Sequence, residues 1–323
     1  MTTRVSSATE VVIEIDQLTK DYPVGFFKKR TVRALDHLSV QVNRGEIFGF
    51  LGPNGAGKTT TLKLLMGLIY PTEGTARVLG RQIDDVQMRS RIGYLPENPY
   101  FYDYLSGREL LDYTAALFGM TKAAARARGD ELLELVGLSP EQADRQLRKY
   151  SKGMLQRIGL AQALMNDPEI VFLDEPMSGL DPTGRRDVRD LMLELRRRGK
   201  TIFFSSHILS DVEVLCDRLA ILNKGRLIRC GATREMTSHE GSAMEIVAMG
   251  LSADSLPALR SGVRSLEAVY ETPDGVRLVL NDDSGIEDAI GLIRRGGGKL
   301  VSINPRRISL EDLFLEDAGS RVE

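Results

Sequence analysis

The chain has 323 residues, with 43 Lys plus Arg against 45 Asp plus Glu and a formal net charge of -2. That length suits about two domains, and the charge balance speaks against a surface built throughout as a nucleic-acid footprint. At 42% hydrophobic and 27% charged it excludes disordered, collagenous and coiled-coil compositions, and its two cysteines exclude a disulfide framework or a Cys-rich zinc cluster.

A bilayer span needs about 20 apolar residues in a row. The best runs, Ile170–Leu173 and a Leu62–Tyr70 stretch broken by Lys63, fall short. The opening MTTRVSSATEVVIEIDQ carries no apolar leader segment. The expectation is a cytoplasmic chain whose membrane work, if it has any, relies on another polypeptide to span.

Val11–Leu18 reads as a strand and Arg33–Val42 as a second, partly alternating one. Ile47–Leu51 is a short buried-strand run, followed at once by a glycine-rich turn and a helical pattern from Lys58. A strand at Ile92–Leu95 precedes helical patterns over Gly107–Phe118, Lys122–Val136 and Leu155–Met165. Strand Ile170–Leu173, helix Thr183–Arg197, strand Thr201–Ser205, helix Ile208–Cys216 and strand Leu219–Leu222 follow. Such alternation predicts a largely parallel α/β sheet.

The character changes after Gly231, and the expected domains are residues 1–241 and 242–323. In the second, strand Met244–Met249, helix Asp254–Arg260 and strand Arg264–Tyr270 lead to a turn at Pro273-Asp274-Gly275. Strand Val276–Leu280, helix Ile286–Arg295 and strand Lys299–Ile303 complete a βαββαβ, ferredoxin-like α+β order. A last helix is expected from Ser309, capped by its hydroxyl with Asp312 three residues on.

Gly52-Pro53-Asn54-Gly55-Ala56-Gly57-Lys58-Thr59, followed by Thr60, matches G-x-x-x-x-G-K-[ST] between a strand and a helix. Its glycines let the loop wrap closely, so that backbone N–H groups and the helix N-terminus point at phosphate oxygens. Lys58 would reach the β- and γ-phosphates, and the Thr59 hydroxyl would bind Mg²⁺. Ile170-Val171-Phe172-Leu173-Asp174-Glu175-Pro176 delivers two acids at the end of an apolar strand, where ligands sit in open α/β sheets. Asp174 is placed to hold Mg²⁺, and Glu175 to orient or deprotonate an attacking water.

The order of P-loop, Tyr150–Met154 (YSKGM), the Asp174-Glu175 strand, Ser178–Pro182 (SGLDP) and the histidine of Ser205-Ser206-His207 resembles the ATP-binding cassette (ABC) ATPases. The likeness spans roughly residues 11–231. The YSKGM form, with Lys152 and Met154 in place of a glycine and the glutamine of LSGGQ, resembles the ATPases of type-2 ABC exporters. The resemblance implies a P-loop NTPase of the ABC type, with a mixed sheet core and a helical subdomain, that binds ATP and Mg²⁺ and uses Lys58, Glu175 and His207 in catalysis.

It further implies that Ser151 and Gly153 open a helix facing the ATP of a partner subunit, and that Asp181 lies across the dimer interface. Tyr22 matches the aromatic that stacks on adenine, with Phe26 and Phe27 as rivals. Glu97 stands where the family has the glutamine that touches Mg²⁺ and water; it is either a carboxylate ligand to the ion or a surface loop acid. The implied partners are an integral-membrane permease on a separate chain, met through Asn98–Leu105 and the helix after it, and a second copy of the cassette sandwiching two ATP. No nucleic acid is expected, and the chain would sit on the inner face of the cell membrane.

Lys28-Lys29-Arg30 reads as a solvated loop, and both cysteines as small buried apolar residues. Ser309–Leu315 resembles C-terminal segments of the exporter group, and the second domain is expected to serve dimerisation or regulation. A translation- or repair-type ABC ATPase is the first rival, but it would carry a second cassette or a long coiled coil, for which residues 60–150 are too few. A module that senses ATP without hydrolysing it is opposed by the presence of Glu175, His207 and Asp181.

Overall fold

The computed structural model describes residues 10–25, 30–237, 243–251 and 255–305. The chain divides into two compact units, Met1–Thr233 and Arg234–Glu323, a few residues ahead of the 241/242 boundary expected from sequence.

The first unit begins with β1 (Val11–Val24), β2 (Arg30–Asn43), β3 (Ile47–Leu51), α1 (Lys58–Leu65), β4 (Glu73–Val78), β5 (Arg81–Gln82), α2 (Val86–Arg89) and β6 (Ile92–Leu95). A helical stretch follows: α3 (Gly107–Leu117), α4 (Lys122–Leu135), α5 (Pro140–Ala143) and α6 (Lys152–Ala163). The chain then returns through β7 (Ile170–Asp174), α7 (Pro182–Arg197), β8 (Thr201–Ser206), α8 (Leu209–Leu215), β9 (Arg218–Asn223) and β10 (Arg226–Ala232), and α9 (Thr233–Thr237) starts on the last residue of this unit.

Two sheets result. One is antiparallel, in the order β2-β1-β4-β5; the other runs β10-β9-β3-β8-β7-β6. The second is parallel from β9 to β6, with β10 antiparallel at its edge. Every residue of β3, β7 and β8 is buried, which is why these strands read as largely apolar runs. The sheets share one core, in which Ile13, Leu18, Leu35 and Leu38 join Phe48, Phe50, Phe172 and Phe203. The Phe203 ring lies 5.2–5.8 Å from those of Phe48, Phe50 and Phe172, within the range of favourable aromatic packing.

The helical stretch is punctuated by caps. Ser106 and Ser139 form capping boxes with Glu109 and Gln142, and Thr121 and Ser151 cap α4 and α6. The Ser151 hydroxyl accepts from the Met154 N–H at 3.3 Å, so α6 starts at Lys152, earlier than the Leu155 read from the apolar pattern.

In the second unit β11 (Met244–Met249), α10 (Leu256–Gly262), β12 (Leu266–Thr272), β13 (Gly275–Leu280), α11 (Ile286–Arg295) and β14 (Lys299–Pro305) follow the βαββαβ order. The sheet is β12-β13-β11-β14, antiparallel throughout. Ile246, Ala248, Leu278 and Leu280 pack with Leu259, Ala289 and Ile293 of the two helices.

Phe26, Phe27, Lys28, Lys29 and the expected helix from Ser309 lie outside the described residues. Cys216 is buried as expected, but Cys230 is exposed on β10, whose polar, half-open pattern had not read as a strand. Among the described residues no helix is long and apolar enough to cross a membrane.

Candidate functional site

Three neighbouring parallel strands, β3, β8 and β7, end at the same edge of the sheet. Each delivers one part of the site there, the edge at which open α/β sheets bind ligands.

From β3 comes the glycine-rich loop. Gly55 and Gly57 have φ of 81° and 106°, and a Cβ on Gly57 would sit 2.6 Å from the Ala34 carbonyl oxygen. Only glycine fits there. The Gly225 N–H donates to the Ala56 carbonyl at 3.0 Å and the Gly52 N–H to Ser206 O at 3.3 Å, tying the loop to the β9–β10 turn and to β8. Helix α1 opens on Gly57 with no capping side chain, which leaves first-turn N–H groups for an anion. Lys58, 6% exposed, curls back and donates to the carbonyls of Gly52 at 2.7 Å and Pro53 at 3.3 Å.

From β7 come Asp174 and Glu175, both buried. Glu175 adopts φ 49°, a left-handed conformation uncommon for a side-chain-bearing residue. Its Oε1 lies 3.1 Å from Lys58 Nζ, an ion pair without hydrogen-bond geometry. Its Oε2 is 2.8 Å from Nδ1 of His207, which follows β8 and is 43% exposed at its side chain. A carboxylate only accepts, so Nδ1 carries the proton in this contact. The Tyr94 phenol, half-buried on β6, is pushed up to about 12 by burial, with the charges of Asp174 and then Glu97 adding to it.

Ala34, Asn54, Gly55, Ala56, Gly57, Lys58, Thr59, Thr60, Glu97 and Glu175 line one open cleft of about 420 Å³. Asn54–Thr60, Glu97 and Glu175 therefore share one cleft, while Gly52, Pro53, Asp174 and His207 are not among its lining residues. Others do not line it either. Tyr22 is half-buried on β1, opposite Val32 of β2, with the Lys20 ammonium 5.1 Å from its ring centre. Ser151 and Gly153 sit at the start of α6, and Asp181 caps α7 by accepting from the Gly184 N–H at 2.9 Å.

Two residues to which the sequence assigned no role enter the site. The buried Ser205 hydroxyl contacts both acids, and the buried Gln156 amide donates to the Pro176 carbonyl at 2.8 Å, fixing the residue after Glu175. The available signal for Ser205 was a polar residue ending an otherwise apolar strand.

Residues 35–178 match the family model described as ABC transporter. An uncharacterised ABC transporter ATP-binding protein of Nostoc sp. is 48% identical over 309 residues, covering 95% of this chain and 90% of its own. The chain belongs to the ABC transporter ATP-binding proteins. As an ABC ATPase it is also 35% identical over 313 residues to a fluoroquinolones export ATP-binding protein of Mycobacterium tuberculosis, covering 96% of this chain and 94% of that one. It is 43% identical over 220 residues to the bacitracin transport ATP-binding protein of Bacillus licheniformis, covering 67% and 68%. A solved ABC cassette in a dimeric post-hydrolysis state with ADP and Pi aligns at a TM-score of 0.63 with 25% identity, over 69% of this chain and 99% of its own. ATP hydrolysis is the activity that goes with this family and fold.

Proposed function

We propose that this chain hydrolyses ATP to drive a separate integral-membrane permease, working as an exporter, through ATP-dependent pairing of two copies. The observation that carries this reading is one cleft that P-loop residues Asn54–Thr60 share with a buried carboxylate, Glu175, set between Lys58 and His207.

In this reading the loop amides and Lys58 hold the phosphates of ATP. The candidate metal donors are hard oxygens: the Thr59 hydroxyl and Glu97 carboxylate in the cleft, and the Asp174 carboxylate at the end of β7. Among the described residues no group of three or more His, Cys, Asp or Glu side chains forms a metal cage. That suits Mg²⁺, which keeps much of its shell for phosphate and water. When bound, the ion neutralises charge on the phosphate oxygens. Glu175 orients the attacking water and takes up its proton, while His207 donates through Nδ1 to Glu175 and, when its ring carries both protons, donates through Nε2 to the γ-phosphate.

Ser151, Gly153 and Asp181 lie at the N-terminal ends of α6 and α7, outside their own cleft, where they would serve the ATP of the partner subunit. Tyr22 would stack on adenine. Its cross-strand neighbour Val32 leads along β2 to Ala34 in the cleft wall, which supports that placement. Export is favoured by the relatives named for bacitracin transport and fluoroquinolones export. Exposed Tyr102, Tyr104 and Tyr113 form an aromatic patch suited to receive the permease, which would hold the chain on the inner face of the membrane.

The deciding experiment is Glu175→Gln. It should bind ATP, lose about 10²–10⁴-fold in turnover and accumulate as an ATP-bound dimer on size-exclusion chromatography. Near-normal single-turnover hydrolysis would rule out Glu175 as the base.

A further inference from the structure

Ser205 joins the two acids that end β7. Its hydroxyl donates to Asp174 Oδ1 at 2.6 Å and accepts from the Glu175 backbone N–H at 2.9 Å. An ionised carboxylate only accepts and an amide N–H only donates, so one serine proton and one lone pair satisfy both. The parallel register of β7 on β8 sets Asp174 opposite Ser205, and the serine is 0% exposed, beyond the reach of bulk water.

The Glu175 backbone bond matters because φ there is 49°, a conformation that a non-glycine residue keeps only where its surroundings impose it. Three contacts do so. Ser205 holds the Glu175 N–H, the Ser178 N–H donates to the Glu175 carbonyl at 3.0 Å, and Gln156 holds the carbonyl of Pro176. The resulting turn aims the Glu175 carboxylate between Lys58 and His207. Of the three, Ser205 alone also touches the neighbouring acid.

We propose that Ser205 is a positioning residue for ATP hydrolysis: its single hydroxyl sets the Asp174 carboxylate and the left-handed turn that aims Glu175. This rests on the reading above, in which Asp174 is a Mg²⁺ ligand and Glu175 orients the water. A misplacement of about 1 Å in such a group costs on the order of 100-fold in rate.

The test compares Ser205→Ala, Ser205→Cys and Ser205→Thr in the full chain, reading kcat, the Kd of ATP and the thermal midpoint. Cysteine nearly matches serine in size but its thiol is a weak donor and weak acceptor, so it changes the bonds with little change in packing. The Ala and Cys variants should lose roughly 100-fold in kcat, with ATP Kd within about threefold of the parent and little change in midpoint. Thr keeps the hydroxyl and should retain most turnover; if its extra methyl prevents folding, the Cys and Ala pair still decides. In a Glu175→Gln background, Ser205→Cys should cost far less than in the parent, because it acts largely through Glu175.

Undiminished kcat in both Ala and Cys would overturn the proposal. So would an equal loss in the two backgrounds, or losses that track ATP Kd and the thermal midpoint. Near-normal turnover of Glu175→Gln alone would instead overturn the underlying assignment of Glu175, and this proposal with it.

Discussion

The Lys58 ammonium has two kinds of acceptor within reach: the loop carbonyls of Gly52 and Pro53, and the Glu175 carboxylate at 3.1 Å. Lys58 and Glu175 are each 6% exposed, so the charge is already largely desolvated and oriented before it meets a phosphate. A hydrogen bond to a charged group contributes about 1.5–3 kcal/mol, so Lys58→Ala should weaken ATP binding roughly tenfold to a hundredfold. Titration with a fluorescent ATP analogue measures this directly, and unchanged affinity would sink the P-loop assignment. The P-loop, Asp174 and Glu175 could be proposed from the sequence because their chemistry is local: glycines where the backbone must turn, acids where an apolar strand ends; His207 came only with the family resemblance. Ser205 and Gln156 could not be, because each acts on a residue far along the chain. Nothing near Gln156 announces a bond to Pro176; strand register and helix packing create it.

Among the elements, the hairpin turn between β9 and β10 supports the P-loop more directly than its sequence suggests. Gly225 bonds to Ala56, and its carbonyl accepts from the Asp36 N–H at 2.9 Å. The Asp36 carboxylate, in turn, accepts from His37 Nδ1 at 2.9 Å, Arg33 at 3.0 Å and Arg226 Nε at 2.6 Å. The His37 ring, then Arg226, hold this carboxylate at about 2, below its ordinary 3.8. A depressed carboxylate contributes stability above the unfolded value and loses it as pH falls through the folded one. The stability gap between the parent and Asp36→Asn, read by urea denaturation, should be full above about pH 5 and close progressively toward pH 2. A gap independent of pH would show that the ion pairs do not act on folding. At this scale β3, β6, β7 and β8 were readable because burial on both faces forces apolar runs. Strands β4 and β10 were not, since Glu73–Val78 and Arg226–Ala232 mix exposed polar residues and glycine with few buried side chains.

For the whole molecule, the division into an ATPase unit and a smaller βαββαβ unit separates chemistry from what we propose to be association or regulation. The second unit buries its own apolar core, so its removal need not disturb the first. Deleting residues 242–323 should leave ATP binding within about twofold, since every residue lining the cleft belongs to the first unit, while weakening self-association or changing turnover. Light scattering and steady-state kinetics read the two effects, and an unchanged dimer with unchanged kinetics would deny the unit that role. The strand order of the larger sheet was not legible, because adjacency among β3, β8 and β7 is set by crossovers through the helices rather than by any local signal. That order also governs how the protein must be made. The phosphate loop is translated early, yet its neighbour in the sheet, β8, is translated last of the three. At roughly 5–20 residues per second of synthesis, His207 leaves the ribosome on the order of ten seconds after Gly52. Throughout that interval the apolar edges of β3 have no permanent neighbours, so the nascent chain is a candidate client for chaperones and becomes competent for ATP only near the end of its first unit.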